Sequence, residues 1–482
     1  MSSAIIKQKS PVLDNIRGVL GNRFFPFATA TLVTACYYSG LDMVSLYYLV
    51  LVAVAMALLL DDLTPLVPHL AFLNIFVSVQ NCPLNFGSIV GSDYYTRTEN
   101  LVQIVILIFL LAGAMITRIA FTVKNKGFKT DLTFWGLVAV SALLLLNGAG
   151  SKAYVFSDTL YGLLLAFLFL GVFVLISNNV KLTDENYMNL VWGFIAFSAV
   201  IVLELGVHYA CHCEEIIVDG HILKQKVILG WGVWNSIGTF ICICIPPVFL
   251  GAAKSKYGYI FLLYAALLTA CAFLTGSRQA MLGSSFAFGS CCIALIVKSR
   301  TRLVNAIIIG AIALVAAIVV AIKWDKVLSS IEYILNGVFN DDGSYSGGGR
   351  HRLMMLAINY FKADPVFGGG FFIGFESFEL TGITGTLLPT FAHCTFFELL
   401  ATCGILGLIA YVGHRITTVI SFAKKPTLNK FYMAACLVTL LLICLLDNYI
   451  FYLLPTIIYS SVLPFATGKP EPEAPRIPKI KF

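Results

Sequence analysis

The chain has 482 residues, 59% of them hydrophobic and only 12% charged, with a mean hydropathy of +0.88. So little polar surface cannot cover a soluble fold of this length, which leaves a polytopic membrane protein. The formal net charge of +7 must be divided between two sides of a bilayer before it says anything about partners, and it is no sign of nucleic acid.

Windows of about 20 apolar residues place candidate spans at 24–40, 43–60, 65–79, 101–121, 131–148, 158–178 and 187–209. Further spans are expected at 226–250, 258–275, 279–298, 303–322, 393–420, 431–446 and 449–466. The fold class is therefore an all-α polytopic membrane protein with about 12 to 14 transmembrane helices, since three of the runs are short. No cleavable signal peptide is expected, because 24–40 lacks a small-residue cleavage site. The division is a cytoplasmic segment 1–23, spans over 24–322, one large extracytoplasmic loop containing short helices over 323–392, spans over 393–466 and a proline-rich cytoplasmic tail 467–482.

With the amino terminus inside, 22 of the 32 Lys and Arg, Arg415 included, fall on the inner side and 10 on the outer side. Basic residues accumulate on the cytoplasmic side, so the long loop is expected outside. Glu204 and His208, one turn apart, lie near the outer end of a span, as do Glu398 and Asp447. An ionisable group within a membrane marks a functional site by default, although a structural pairing of Glu204 and His208 with each other or with an arginine fits them equally well. Of the 13 cysteines, nine lie in apolar runs as small hydrophobes. Cys211, His212 and Cys213 are spaced more tightly than zinc ligands, so free thiols or a disulfide with Cys82 fit better than a metal.

The long loop contains GGGRHRLMMLAINYFKADPVFGGGFF. Apolar residues at Leu353, Leu356, Ala357, Tyr360 and Phe361 predict a short amphipathic helix that starts after the glycines and ends at Asp364 before Pro365. Arg350 and Arg352 thus stand at a helix start, where orphan N–H groups and two guanidinium forks suit a phosphate or diphosphate. Arg278 lies in a short outer Gly-Ser turn with no acid nearby, and His393 leads from the loop into the next span.

Ser277-Arg278 in TGSRQA, Arg350 fifteen residues before Pro365 in PVFGGG, the pair Ala392-His393, and Gly404 and Gly407 in CGILGL follow one another in a set order. In that order and spacing, over roughly residues 230 to 415, the chain resembles the bacterial O-antigen ligase/polymerase family. It departs from the usual pattern at Gln279, Cys394 and Thr402, where the family more often has Gly, Asn and an acidic residue.

The resemblance implies a polytopic glycosyltransferase of the bacterial inner membrane, active on its outer face in surface polysaccharide biosynthesis. It would move an oligosaccharide from a polyprenyl diphosphate, such as undecaprenyl diphosphate, to a glycan or lipid-core acceptor. The catalytic residues would be His393, Arg278 and Arg350, with Arg352, Glu398, Glu204 and Asp447 in substrate binding and neither metal nor cofactor. Transfer from a diphosphate needs the departing charge stabilised, which fixed arginines can do, and a base for the acceptor hydroxyl, for which His393 is best placed. Polymerase and ligase remain open, and so do a lipid-linked oligosaccharide flippase and a scaffold subunit.

Overall fold

The computed structural model describes residues 11–78, 94, 97–152, 154–218, 220–298, 302–322, 324, 348–373 and 392–469, with the side chains of 126, 298, 302, 315–316, 319–320 and 348–352 outside the described set. Its first helices are α1 (Pro11–Leu20), α2 (Phe25–Ser39), α3 (Asp42–Leu59) and α4 (Leu66–Ala71). α5 (Thr98–Lys126), α6 (Leu132–Leu145), α7 (Phe156–Asn179) and α8 (Asp184–Ile216) follow. Two antiparallel hairpins come next, β1 (Ile217–Val218) with β2 (His221–Ile222) and β3 (Ile228–Leu229) with β4 (Gly232–Val233). Then come α9 (Trp234–Lys254), α10 (Gly258–Leu274), α11 (Arg278–Lys298), α12 (Arg302–Ile322) and α13 (Gly348–Ala363). α14 (Thr395–Ala423), α15 (Leu428–Cys444) and α16 (Leu453–Thr467) complete the order.

Among the described residues, seven helices (α3, α5, α7, α8, α9, α11 and α14) are long and apolar enough to cross a membrane, and shorter apolar helices accompany them. The helical, polytopic class expected from composition is therefore found. Helix starts follow local rules: Asp131, Thr183 and Thr427 each accept an N–H from the first turn of α6, α8 and α15. α9 is the central post, packed against α8, α10, α11 and α15, and 89% of its apolar window is buried.

Three elements differ from the sequence reading. The run 65–79 forms only the six residues of α4 and a 3-10 turn at Phe72–Asn74, far short of the ~20 residues a helix needs to span a bilayer. The run 226–250 becomes helical only at Trp234, because Gly230, Trp231 and Gly232 turn the chain into the β3–β4 hairpin first. Arg415 belongs to no loop. It lies within α14 with its guanidinium carbon 4.2 Å from the Tyr411 ring centre and 4.7 Å from that of Tyr459, and it donates to the Tyr459 hydroxyl. Side chains lean towards the N-terminus of their helix, so this arginine climbs away from the nearer helix end and drops out of the count of basic residues in the turns.

Hydrogen bonds between distant segments sort the turns into two ends, as strict alternation of the spans requires. At one end Asp184 meets Lys254 at 2.9 Å and Asn429 at 2.7 Å, Arg118 donates to Asn179 at 3.0 Å and Asn186 to Asp62 at 2.6 Å. The other end gathers the turns 148–158, 224–235 and 275–278, the segment 364–373, and the turns 392–394 and 447–452. Ser277-Arg278, the PVFGGG segment and Ala392-His393 all reach this second end.

Candidate active site at one end of the helix bundle

The segment after α13 is built into a break in α14. Gly404 has φ 65° and ψ −165°, a left-handed conformation that favours glycine, and it interrupts the helical ladder. The freed carbonyls of Ala401 and Thr402 accept from Gly369 N–H at 2.7 Å and Gly370 N–H at 3.1 Å, while Ile405 N–H donates to the Pro365 carbonyl at 2.9 Å. The PVFGGG segment thus supplies the partners that the helix gives up at its break. A Cβ on Gly404 would lie 2.3 Å from the Val366 oxygen, and one on Gly370 would lie 2.5 Å from the Asp158 carboxylate.

Asp158 is completely buried and clamps the same segment, accepting from Phe372 N–H at 2.8 Å and from Val155 N–H at 2.9 Å. Ser151 donates to Asp364 at 2.6 Å and Gly148 N–H to the Phe367 carbonyl at 3.0 Å. The carboxyl end of α13 is therefore fixed to the α6–α7 turn as well as to α14. At the other end of α13, Leu353 is buried in one cluster with Ala357, Ile373, Ala392 and Ala401. Leu353 follows Arg350 and Arg352 in the chain and shares this cluster with Ala392, the neighbour of His393. The side chains of both arginines lie outside the described residues.

His393 has φ 53°, a left-handed value unusual for a residue with a Cβ. Its backbone is held from both sides, by Ala392 N–H donating to Glu398 Oε2 at 2.6 Å and by the start of α14. The imidazole is 35% exposed and places Nδ1 3.2 Å from Asp447 Oδ1. That same oxygen accepts Asn448 N–H at 2.8 Å, and Asn235 donates to Asp447 Oδ2 at 3.4 Å. An oxygen already taken as an acceptor by a backbone N–H favours the tautomer with the proton on Nδ1, which leaves the Nε2 lone pair available.

Arg278 opens α11. Ser277 before it caps that helix, accepting Ala280 N–H at 3.4 Å and donating to Asn235 Oδ1 at 2.7 Å. A hydrogen-bonded series thus runs His393, Asp447, Asn235, Ser277 and ends beside Arg278. Tyr449, in the turn after Asp447, shares a hydrogen bond with Ser236 at 3.1 Å. Burial, and then the Asp447 charge, push its hydroxyl well above the usual phenol range, so it stays protonated and is no candidate base.

The remaining predicted residues take other positions. Glu398 is fully buried and accepts from Ala392 N–H and from Asn448 Nδ2 at 3.2 Å, so it steadies both His393 and the Asp447 turn. Glu204 accepts from Trp231 Nε1 at 2.7 Å and His208 meets the Lys226 carbonyl at 2.8 Å, so each has its own partner on the 224–233 segment. Cys211 and Cys213 are exposed and unbridged, Cys82 lies outside the described residues, and no metal-sized group of ligating side chains forms among the described residues. Sequence reasoning missed Asp158 and Asn235. The only local hint for Asp158 is its place in the first turn of α7, and Asn235 offers none.

Residues 263–412 match the family model Wzy_C, described as O-Antigen ligase. Over this stretch the chain is similar to the O-antigen ligase family. The match covers about a third of the chain and includes Arg278, Arg350, the PVFGGG segment, His393 and the Gly404 break. The matched stretch holds Arg278, the PVFGGG segment and His393, while Asn235, Asp158 and Asp447 come from outside it. No curated protein matches the chain. A membrane protein of surface polysaccharide biosynthesis with a glycosyltransferase-type activity is the reading that the family supports.

Proposed function

We propose that this protein transfers an oligosaccharide from a polyprenyl diphosphate to a glycan or lipid-core acceptor on the outer face of the bacterial inner membrane. The observation that carries the reading is the His393–Asp447 contact, 3.2 Å long, on the same helix-bundle end as the turn that presents Arg278. His393 Nε2 takes the acceptor hydroxyl proton, and Asp447 holds the ring and stabilises the charge that the proton brings. Arg278 and Arg350, joined by Arg352 in donor binding, neutralise the departing diphosphate, work that otherwise falls to a divalent cation. The lipid tail lies among the spans. Glu398 acts through the backbone it holds and Glu204 through Trp231, so neither needs to touch substrate.

The topological half of the proposal has its own test. Single cysteines at Ser151 and at Ser255, in a cysteine-depleted background, stand in turns at opposite ends of the bundle. A membrane-impermeant thiol reagent added outside the inner membrane should label the first and spare the second. Labelling only at Ser255 would turn the site to the cytoplasm and overturn an outer-face transferase.

A further inference from the structure

Asn235 stands in the first turn of α9 and touches two of the elements that carry the proposed chemistry. A carboxylate only accepts, so the amide nitrogen of Asn235 must face Asp447 Oδ2 and its oxygen must face the Ser277 hydroxyl. Ser277 is 1% exposed, and its oxygen already receives Ala280 N–H, which directs its own proton to Asn235. The amide does not cap α9, whose N-cap is Val233 with no side-chain bond. It spends its polar atoms on the neighbouring turns instead. Its two partners are remote in sequence, 42 residues away at Ser277 and 212 away at Asp447.

We propose that Asn235, locked by Ser277, is a positioning residue for the transfer. It sets the plane in which the Asp447 carboxylate presents Oδ1 to His393, and it ties that pair to the turn from which Arg278 starts. The inference rests on the reading of His393 as the base. Asp447 sits in the short turn between α15 and α16, and a donor on Oδ2 in addition to the Oδ1 contacts restrains the carboxylate against turning about its last torsion. Misplacing a catalytic group by about 1 Å costs about a hundredfold in rate, so a residue that touches no substrate can still govern turnover.

The test is a double-mutant cycle on detergent-purified full-length protein, reading the unfolding temperature, binding of a polyprenyl-diphosphate oligosaccharide and turnover. Asn235→Ala should keep the unfolding temperature and donor binding while kcat falls roughly tenfold to a hundredfold, the range seen when a supporting partner is lost. In a His393→Ala background the same change should cost nothing more, because the two act as one unit. Asn235→Asp, equal in size, guards against misfolding in the alanine variant: with a carboxylate facing Asp447 it should show the same selective loss of kcat. A folded Asn235 variant with kcat within twofold of wild type, or a loss that adds in full to that of His393→Ala, would overturn the inference. Wild-type turnover in His393→Ala alone would instead remove the base reading on which it rests.

Discussion

His393→Ala is expected to bind lipid-linked donor nearly as wild type does and to transfer it at least about a hundredfold more slowly, the lower range for loss of a general base. The expectation separates two roles. A base contributes in the transition state, so its removal lowers kcat while the arginines still hold the diphosphate. A phosphate ligand contributes to binding, so its removal would raise KM and leave transfer intact at saturating donor. The geometry favours the first role, because one ring nitrogen already faces Asp447 at 3.2 Å and the ring is partly open. The left-handed backbone at φ 53° points the same way. A strained conformation costs on the order of 1–3 kcal/mol and persists where the surroundings enforce it, which Glu398 does here through Ala392.

Asp447→Asn is expected to lose nearly as much turnover as His393→Ala, again with donor binding preserved. The change is almost isosteric, so its effect is chemical. The backbone N–H of Asn448 demands an acceptor at the Oδ1 position. If the new amide nitrogen turns to His393, it donates to Nδ1 and drives the ring proton onto Nε2, the atom proposed to receive the acceptor's proton. If it turns to Asn235 instead, two amide nitrogens face each other across 3.4 Å and the support is lost. Measuring kcat and donor affinity in a variant of unchanged thermal stability checks this. Unimpaired turnover in Asp447→Asn would show that the Nδ1 contact is structural only.

The helices were legible because uninterrupted apolar runs in a chain with 12% charge leave little alternative to a span. What failed was local: the turn around Gly230 and Gly232 sits inside an apolar run, and the short α4 is apolar only because it is buried by its neighbours. Of the site, Arg278, Arg350 and His393 could be read as ordered blocks, and the helix carrying Arg350 was legible from its apolar spacing. The partnerships were not. His393 and Asp447 are 54 residues apart and Asp158 meets Phe372 across 214, distances at which no spacing rule operates. Glu398 and Glu204 were recognisable as costly intramembrane acids, yet whether such an acid faces substrate or holds up its neighbours depends on contacts made only in the fold. The glycines of PVFGGG and Gly404 were visible as separate signals, and their common purpose, one segment sewn into one helix break, needed the tertiary structure.

The central claim is that this end of the bundle makes a glycosidic bond. Purified protein in vesicles, supplied on the site side with a polyprenyl-diphosphate oligosaccharide and an acceptor glycan, tests it directly by following free polyprenyl diphosphate and the lengthened acceptor together. Wild type should release the two in equal amounts, Arg278→Ala should fail to bind donor, and His393→Ala should bind donor and release almost nothing. Movement of intact donor across the vesicle membrane, with no polyprenyl diphosphate freed and no acceptor lengthened, would contradict the account and make the protein a carrier of its lipid-linked glycan.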